Sequence, residues 1–276
     1  MRVDLLKQQK LHRGDSRRFL TNFLSNLSTY ARTMRIAIPL AEEKPDILQT
    51  AIRSYIIGIA ACLETYFRDL YLHTLERDPA LLETALEQIK EKEALAALYR
   101  NLSDGMSFPE FAMSRATFQS AAEIDQHYSI FFKPRGFLDS LDEFEFLSLI
   151  PSVPRKGLAR LRLSAGWRKD LARIFNLRHE FAHDANSKSK VETQEMRSLE
   201  TTAVLLPQVT AHLEPFKPTP PKGANAVPII LLIADFVSED WIVSDSPPDD
   251  RVYIGTGTTH DNDAPFFFTV PSRKVE

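Results

Sequence analysis

Arg178, His179 and His183, in the run Leu177-Arg178-His179-Glu180-Phe181-Ala182-His183, are the side chains whose types and spacing could do chemistry. Counted from Arg178 the run reads R-x-x-x-x-H, a pairing suited to RNA cleavage without a metal. Such a reaction needs a base for the 2′-hydroxyl proton, an acid for the leaving oxygen and a cation for the phosphorane. Imidazole titrates near neutrality and can carry the proton transfers, worth roughly 10²–10⁴ in rate. A guanidinium is always charged and presents a fork to phosphate oxygens. Counted from His179 the same run reads H-E-x-x-H. There His179 and His183 share a helix face as zinc ligands, Glu180 deprotonates the metal-bound water, and Glu200 in the next helix serves as third ligand.

The surroundings favour the first reading. Asp184 puts a charge directly after the second histidine, where zinc-peptidase helices normally carry an uncharged residue. No glycine-spaced third histidine follows, and the 170 residues before the run show no strand pattern from which a covering sheet could form. The R-x4-H reading has its own geometric demand. Residues five apart on an ideal helix point about 140° from each other. They converge if the helix frays near His183, which the following Asp184-Ala-Asn-Ser-Lys-Ser permits, or if two copies face each other across a dimer axis. His12, His73, His127, His212 and His260 have no partner at useful spacing.

The elements that must position these residues are helical from about residue 15 to 215. Asp15 and Ser16 can cap a helix with an apolar stripe of Phe19, Leu20, Phe23, Leu24, Leu27, Tyr30, Ala31 and Met34. Pro39 and Pro45 bracket a connection. Asp46 then caps a long helix, Ile47 to about Glu76, in which Gly58 and Cys62 leave a notch for a neighbouring helix. Asp78-Pro79 starts a third helix, read through roughly Tyr99. Residues 101–156 read as short helices and loops carrying Phe108, Phe111, Phe118, Phe131, Phe132, Phe137, Phe144 and Phe146, whose rings fill core rather than stack on bases. Ser164 leads into the signature helix, and a last helix runs from about Glu192 to Phe216. The reading is therefore mainly α: a helical domain over 1–216, a Pro-rich linker over 217–227, and a small acidic β-rich appendage over 228–276. Its strands are expected at Pro228–Val237, Arg251–Ile254 and Phe266–Val270.

Charge is divided along the chain although the net value is only −3. Arg155, Lys156, Arg160, Arg162, Arg168, Lys169, Arg173 and Arg178 face a single acid, Asp170, whereas residues 235–263 carry eight acids against Arg251 alone. A basic block running into the candidate site suits a polyanion, and Arg155, Lys156, Arg168, Lys169 and Arg173 would guide an RNA backbone. The longest apolar runs, Tyr55–Leu63 and Val227–Ala234, fall short of the roughly 20 residues that span a bilayer. A single cysteine, Cys62, together with an opening that lacks a secretory pattern, leads to the expectation of a cytoplasmic protein without membrane contact.

An all-helical body over 15–215, Glu64 within Leu63-Glu64-Thr65-Tyr66-Phe67-Arg68-Asp69-Leu70, and Asn176-Leu177-Arg178-His179-Glu180-Phe181-Ala182-His183-Asp184 near its end resemble the HEPN superfamily. The closest flavour is its RiboL-PSP-type branch, found in prokaryotic toxin and phage-defence systems. The resemblance implies a HEPN-like bundle acting as a homodimeric, metal-independent endoribonuclease with no cofactor. It implies RNA as the partner and, in such systems, a protein that inhibits or activates the enzyme. Arg178 would hold the scissile phosphate and His183 would be the acid–base. His179 would bind phosphate or orient the others. Glu64 would anchor Arg178, or else pair with Arg68 one turn on. Two other readings stay open: a non-catalytic HEPN module that binds nucleotides or proteins, and the zinc peptidase.

Overall fold

The computed structural model describes residues 19–37, 39, 44–89, 105–149, 158–184, 187–211, 213, 251–254 and 266–269. Helix α1 (Phe19–Ala37) buries Leu20, Phe23, Leu24, Leu27, Ala31 and Met34, the stripe set by the three-and-four spacing. Asp15 and Ser16, expected as its cap, lie outside the described residues. Helix α2 (Pro45–Arg77) begins earlier than its sequence suggests. Pro45 occupies the first turn, where a missing N–H costs nothing, Lys44 is the N-cap, and Asp46 sits inside the first turn instead of capping it. The tyrosine ring of Tyr30 on α1 lies over Gly58 of α2. A Cβ added at Gly58 would fall 2.6 Å from two ring carbons, so the expected notch is filled from α1.

Helix α3 (Pro79–Glu87) is capped by Asp78, whose carboxylate accepts the Ala80 and Leu81 amides at 3.0 and 3.3 Å. It ends at Gln88, well short of the predicted Tyr99; residues 90–104 lie outside the described set. Helix α4 (Phe108–Ser114) opens on a reciprocal capping box between Ser107 and Glu110, and α5 (Ala121–Tyr128) on Ser120. Helix α6 (Phe137–Glu143) follows a 3-10 turn at Ser129–Phe131. Phe67, Tyr71, Phe118, Tyr128 and Phe137 meet in one aromatic cluster of edge-to-face, tilted and stacked pairs, so Phe118 and Phe137 are core, as read. Among the described rings of this region, Phe108 is the substantially exposed one.

The short strands β1 (Phe146–Leu149) and β2 (Leu158–Leu161) pair antiparallel, with Phe146 opposite Leu161 and Leu149 opposite Leu158. The expectation that no strand precedes the signature helix is thereby corrected. Four residues are too few for alternation to rise above the neighbouring loop pattern. Helices α7 (Trp167–His183) and α8 (Thr193–Thr210) follow. Helix α8 stops before Phe216, with Pro207 already inside its last turns. Two further short strands, β3 (Arg251–Ile254) and β4 (Phe266–Thr269), pair antiparallel. The segment 228–237 and the linker 217–227 lie outside the described residues.

Helix α2 is the hub: α1, α7 and α8 all pack on it. By length and composition alone α2 could cross a membrane. Ile52, Tyr55, Ile56, Ile59, Leu63, Tyr66, Phe67 and Leu70 along it are buried. Two tyrosines on one face tie it to α8, Tyr55 donating to the Glu200 carboxylate and Tyr66 to the Pro207 carbonyl at 2.7 Å.

Candidate active site

Helix α7 buries Trp167, Leu171, Ile174, Phe175 and Leu177, each worth about 1.5–3 kcal/mol when withdrawn from water. Positions 167, 171, 174 and 178 follow one another at intervals of four, three and four. Arg178 therefore continues the inward stripe, and its guanidinium faces α2. There Nη2 of Arg178 lies 3.4 Å from Oε1 of Glu64, with side-chain exposures of 26% and 12%. The sequence-derived pairing of Glu64 with Arg178 is present. It is not a tight one, since the buried Oε1 has no hydrogen-bond donor. Burial raises the Glu64 carboxyl above its ordinary value, opposed by the attraction of Arg178 and Arg68 and reinforced by repulsion from Glu123.

His179 and His183 stand on the flank of the same helix and are exposed. Their ring centroids are 4.6 Å apart at an interplanar angle of 52°. The helix does not fray before its end: His183 is its last residue, and the Asp184 amide still donates to the Glu180 carbonyl at 2.8 Å. A regular helix keeps Arg178 and His183 about 140° apart. One copy therefore offers a cation turned inward and imidazoles turned outward.

The chain beyond α7 is held back against the bundle. Arg53 of α2 donates to the Ser187 carbonyl at 2.6 Å and the Ser189 carbonyl at 3.5 Å, with its guanidinium 5.3 Å from the Phe181 ring centre. The Ser187 hydroxyl donates to the Glu180 carboxylate. That hydroxyl, followed by Ser189, holds the Glu180 carboxyl below its ordinary range. Glu180 is thus engaged in closing the helix end. Glu200, the other acid a zinc centre would draw on, is buried in α8 and accepts from Tyr55. Among the described residues no three of His, Cys, Asp and Glu come together as a metal-binding group.

Among the described residues, four arginines of the basic block meet carboxylates from other elements. Arg162 meets Glu145 at 2.6 Å across the open end of the hairpin. Arg168 meets Asp139 at 2.6 Å and Asp142 at 2.5 Å, and Arg173 meets Glu195 at 2.8 Å. Lys169 is exposed, while Arg155 and Lys156 lie outside the described residues. Of the cations expected to guide RNA, then, Arg168 and Arg173 already have partners. Arg53, Ser187 and Ser189 were not foreseen as site residues. Arg53 and Ser187 are 134 positions apart, and no local pattern links them. Comparison with protein-family models, curated proteins and solved structures yields no match.

Proposed function

We propose that this chain is a metal-independent endoribonuclease of HEPN type, a toxin or phage-defence effector whose cleft is composite. Arg178 of one copy works with His183 of a second. The observation that carries this reading is the regular helical end of α7. With no fraying, the i, i+5 pair cannot converge on one phosphate within a single copy, whereas two copies set side by side can supply a guanidinium and an imidazole to the same group. In the reaction the 2′-oxygen loses its proton to a base and bonds to phosphorus. The bond from phosphorus to the 5′-oxygen breaks, and that oxygen takes a proton from an acid. The products are a 2′,3′-cyclic phosphate and a 5′-hydroxyl. His183 serves the proton transfers, Arg178 holds the phosphoryl oxygens, Glu64 anchors Arg178 and His179 assists at the phosphate. Exposed Lys169 guides the RNA together with Arg155 and Lys156, which lie outside the described residues, and residues 228–276 form an acidic β-rich appendage.

End-group analysis of incubated RNA tests this directly. Arg178→Ala and His183→Ala should each abolish cleavage, EDTA should leave it intact, and mixing the two variants should restore part of it. Cleavage retained by both variants would overturn the assignment. The charge pairing of Arg162, Arg168 and Arg173 favours a second reading, a non-catalytic nucleotide- or protein-binding module, because three of the described cations of the basic block already have carboxylate partners. Tight RNA or nucleotide binding without turnover would select it.

A further inference from the structure

We infer that His179 and His183 form a two-histidine chelate for a borderline divalent ion of the Zn²⁺ class, and that the ion inhibits the site instead of serving it. The two imidazoles project from one helix face at i, i+4 and are open to solvent. A zinc–nitrogen bond of about 2.0–2.1 Å puts each ring centre roughly 3.1–3.2 Å from the ion. An N–metal–N angle of about 90–110°, spanning square to tetrahedral coordination, then sets the ring centres about 4.5–5.2 Å apart. The observed separation of 4.6 Å falls inside that window. Glu64 offsets part of the charge of Arg178, the cation next to His179 in sequence, which would otherwise repel a metal ion.

The surroundings also say what kind of site this is. No third protein ligand joins the pair among the described residues, so solvent would fill the remaining positions and the ion would exchange. The acid of the run, Glu180, is turned to Ser187 and is not poised over such an ion. Coordination uses the imidazole lone pair that a proton carrier needs. Zn²⁺ on this pair therefore blocks acid–base work by His183. The inhibitory half rests on the ribonuclease reading; the binding half does not.

The test is titration of the untagged full-length chain with Zn²⁺ by calorimetry, alongside His179→Ala, His183→Ala and Glu180→Gln. Loss of a second-sphere partner alone weakens a metal by about 10–100-fold, so loss of either imidazole should cost at least that, with Glu180→Gln near wild type. Circular dichroism and melting checks that the exposed histidine variants remain folded. Equal affinity in wild type and both histidine variants would overturn the site. RNA cleavage is then followed with Zn²⁺ and with EDTA. Slowing that EDTA reverses upholds inhibition, and cleavage unaffected at saturating Zn²⁺ refutes it. Absence of any cleavage, with binding still histidine-dependent, would sink the nuclease reading and leave the chelate standing.

Discussion

Glu64→Gln separates what stabilises this fold from what equips its site. The carboxylate is 12% exposed, its Oε1 lacks a hydrogen-bond donor, and the Arg178 guanidinium stands 3.4 Å away. Breaking a well-made buried ion pair typically costs about 3–5 kcal/mol, because the remaining charge is stranded in a dry interior. That cost should not arise here. Arg178 is a quarter exposed and can rehydrate, and burial outweighs attraction in setting the Glu64 carboxyl. The ionised carboxylate is therefore a net burden on the folded state at neutral pH. We expect Glu64→Gln to change stability by no more than about 1 kcal/mol, toward stabilisation, or about 2–4 °C in Tm for a body of this size.

The pH dependence has a definite sign. A carboxyl raised in the folded state contributes stability that is fully present below its unfolded value, near 4.5, and lost as pH rises through the folded one. The advantage of Glu64→Gln should thus open as pH climbs above 4.5. Melting both proteins at a series of pH values between 4 and 7.5 reads it out. RNA cleavage should meanwhile fall about 10- to 100-fold, since Arg178 loses the group that orients it. A drop in Tm equivalent to about 3 kcal/mol or more at pH 7 would refute the burial argument.

Tyr55→Phe removes the hydroxyl that the buried Glu200 carboxylate accepts; it should cost about 1–3 kcal/mol, seen as a lower urea midpoint at unchanged slope, and an unchanged midpoint would count against the bond. Gly58→Ala drives a methyl into the Tyr30 ring and should destabilise by about 1–3 kcal/mol. In a Tyr30→Ala background the same change should instead gain about 1 kcal/mol from helix propensity. The Cys62 thiol, buried and pushed up to about 12 by that burial, should resist alkylation at pH 8 until urea unfolds the chain; equal native and unfolded rates would contradict it.

Much of the scaffold was legible because it repeats locally. The stripe from Leu20 to Met34, the cap at Asp78, the notch at Gly58 and the phase of α7 all follow from spacing within a few turns. The meeting of Glu64 with Arg178 was legible only as a candidate, because Arg68 competed for the same acid. The hairpin at 146–161 was missed for want of length, and the early stop of α3 for want of a breaker after Glu87.

The charge of the signature region shows where linear reading ends. Counted along the chain, residues 155–178 are strongly basic. In space, Glu145, Asp139, Asp142, Glu195 and Glu64 arrive from four other parts of the chain and answer four of those arginines. Which residues share a helix face is an intrachain period of about 3.6, so the sequence by itself settled that His179 and His183 share a face and that Arg178 and His183 diverge by about 140°. Which charges meet depends on helices separated by tens of residues packing at about 8–10 Å. Only the tertiary structure could decide that, because Coulomb attraction follows distance through space and not distance along the chain.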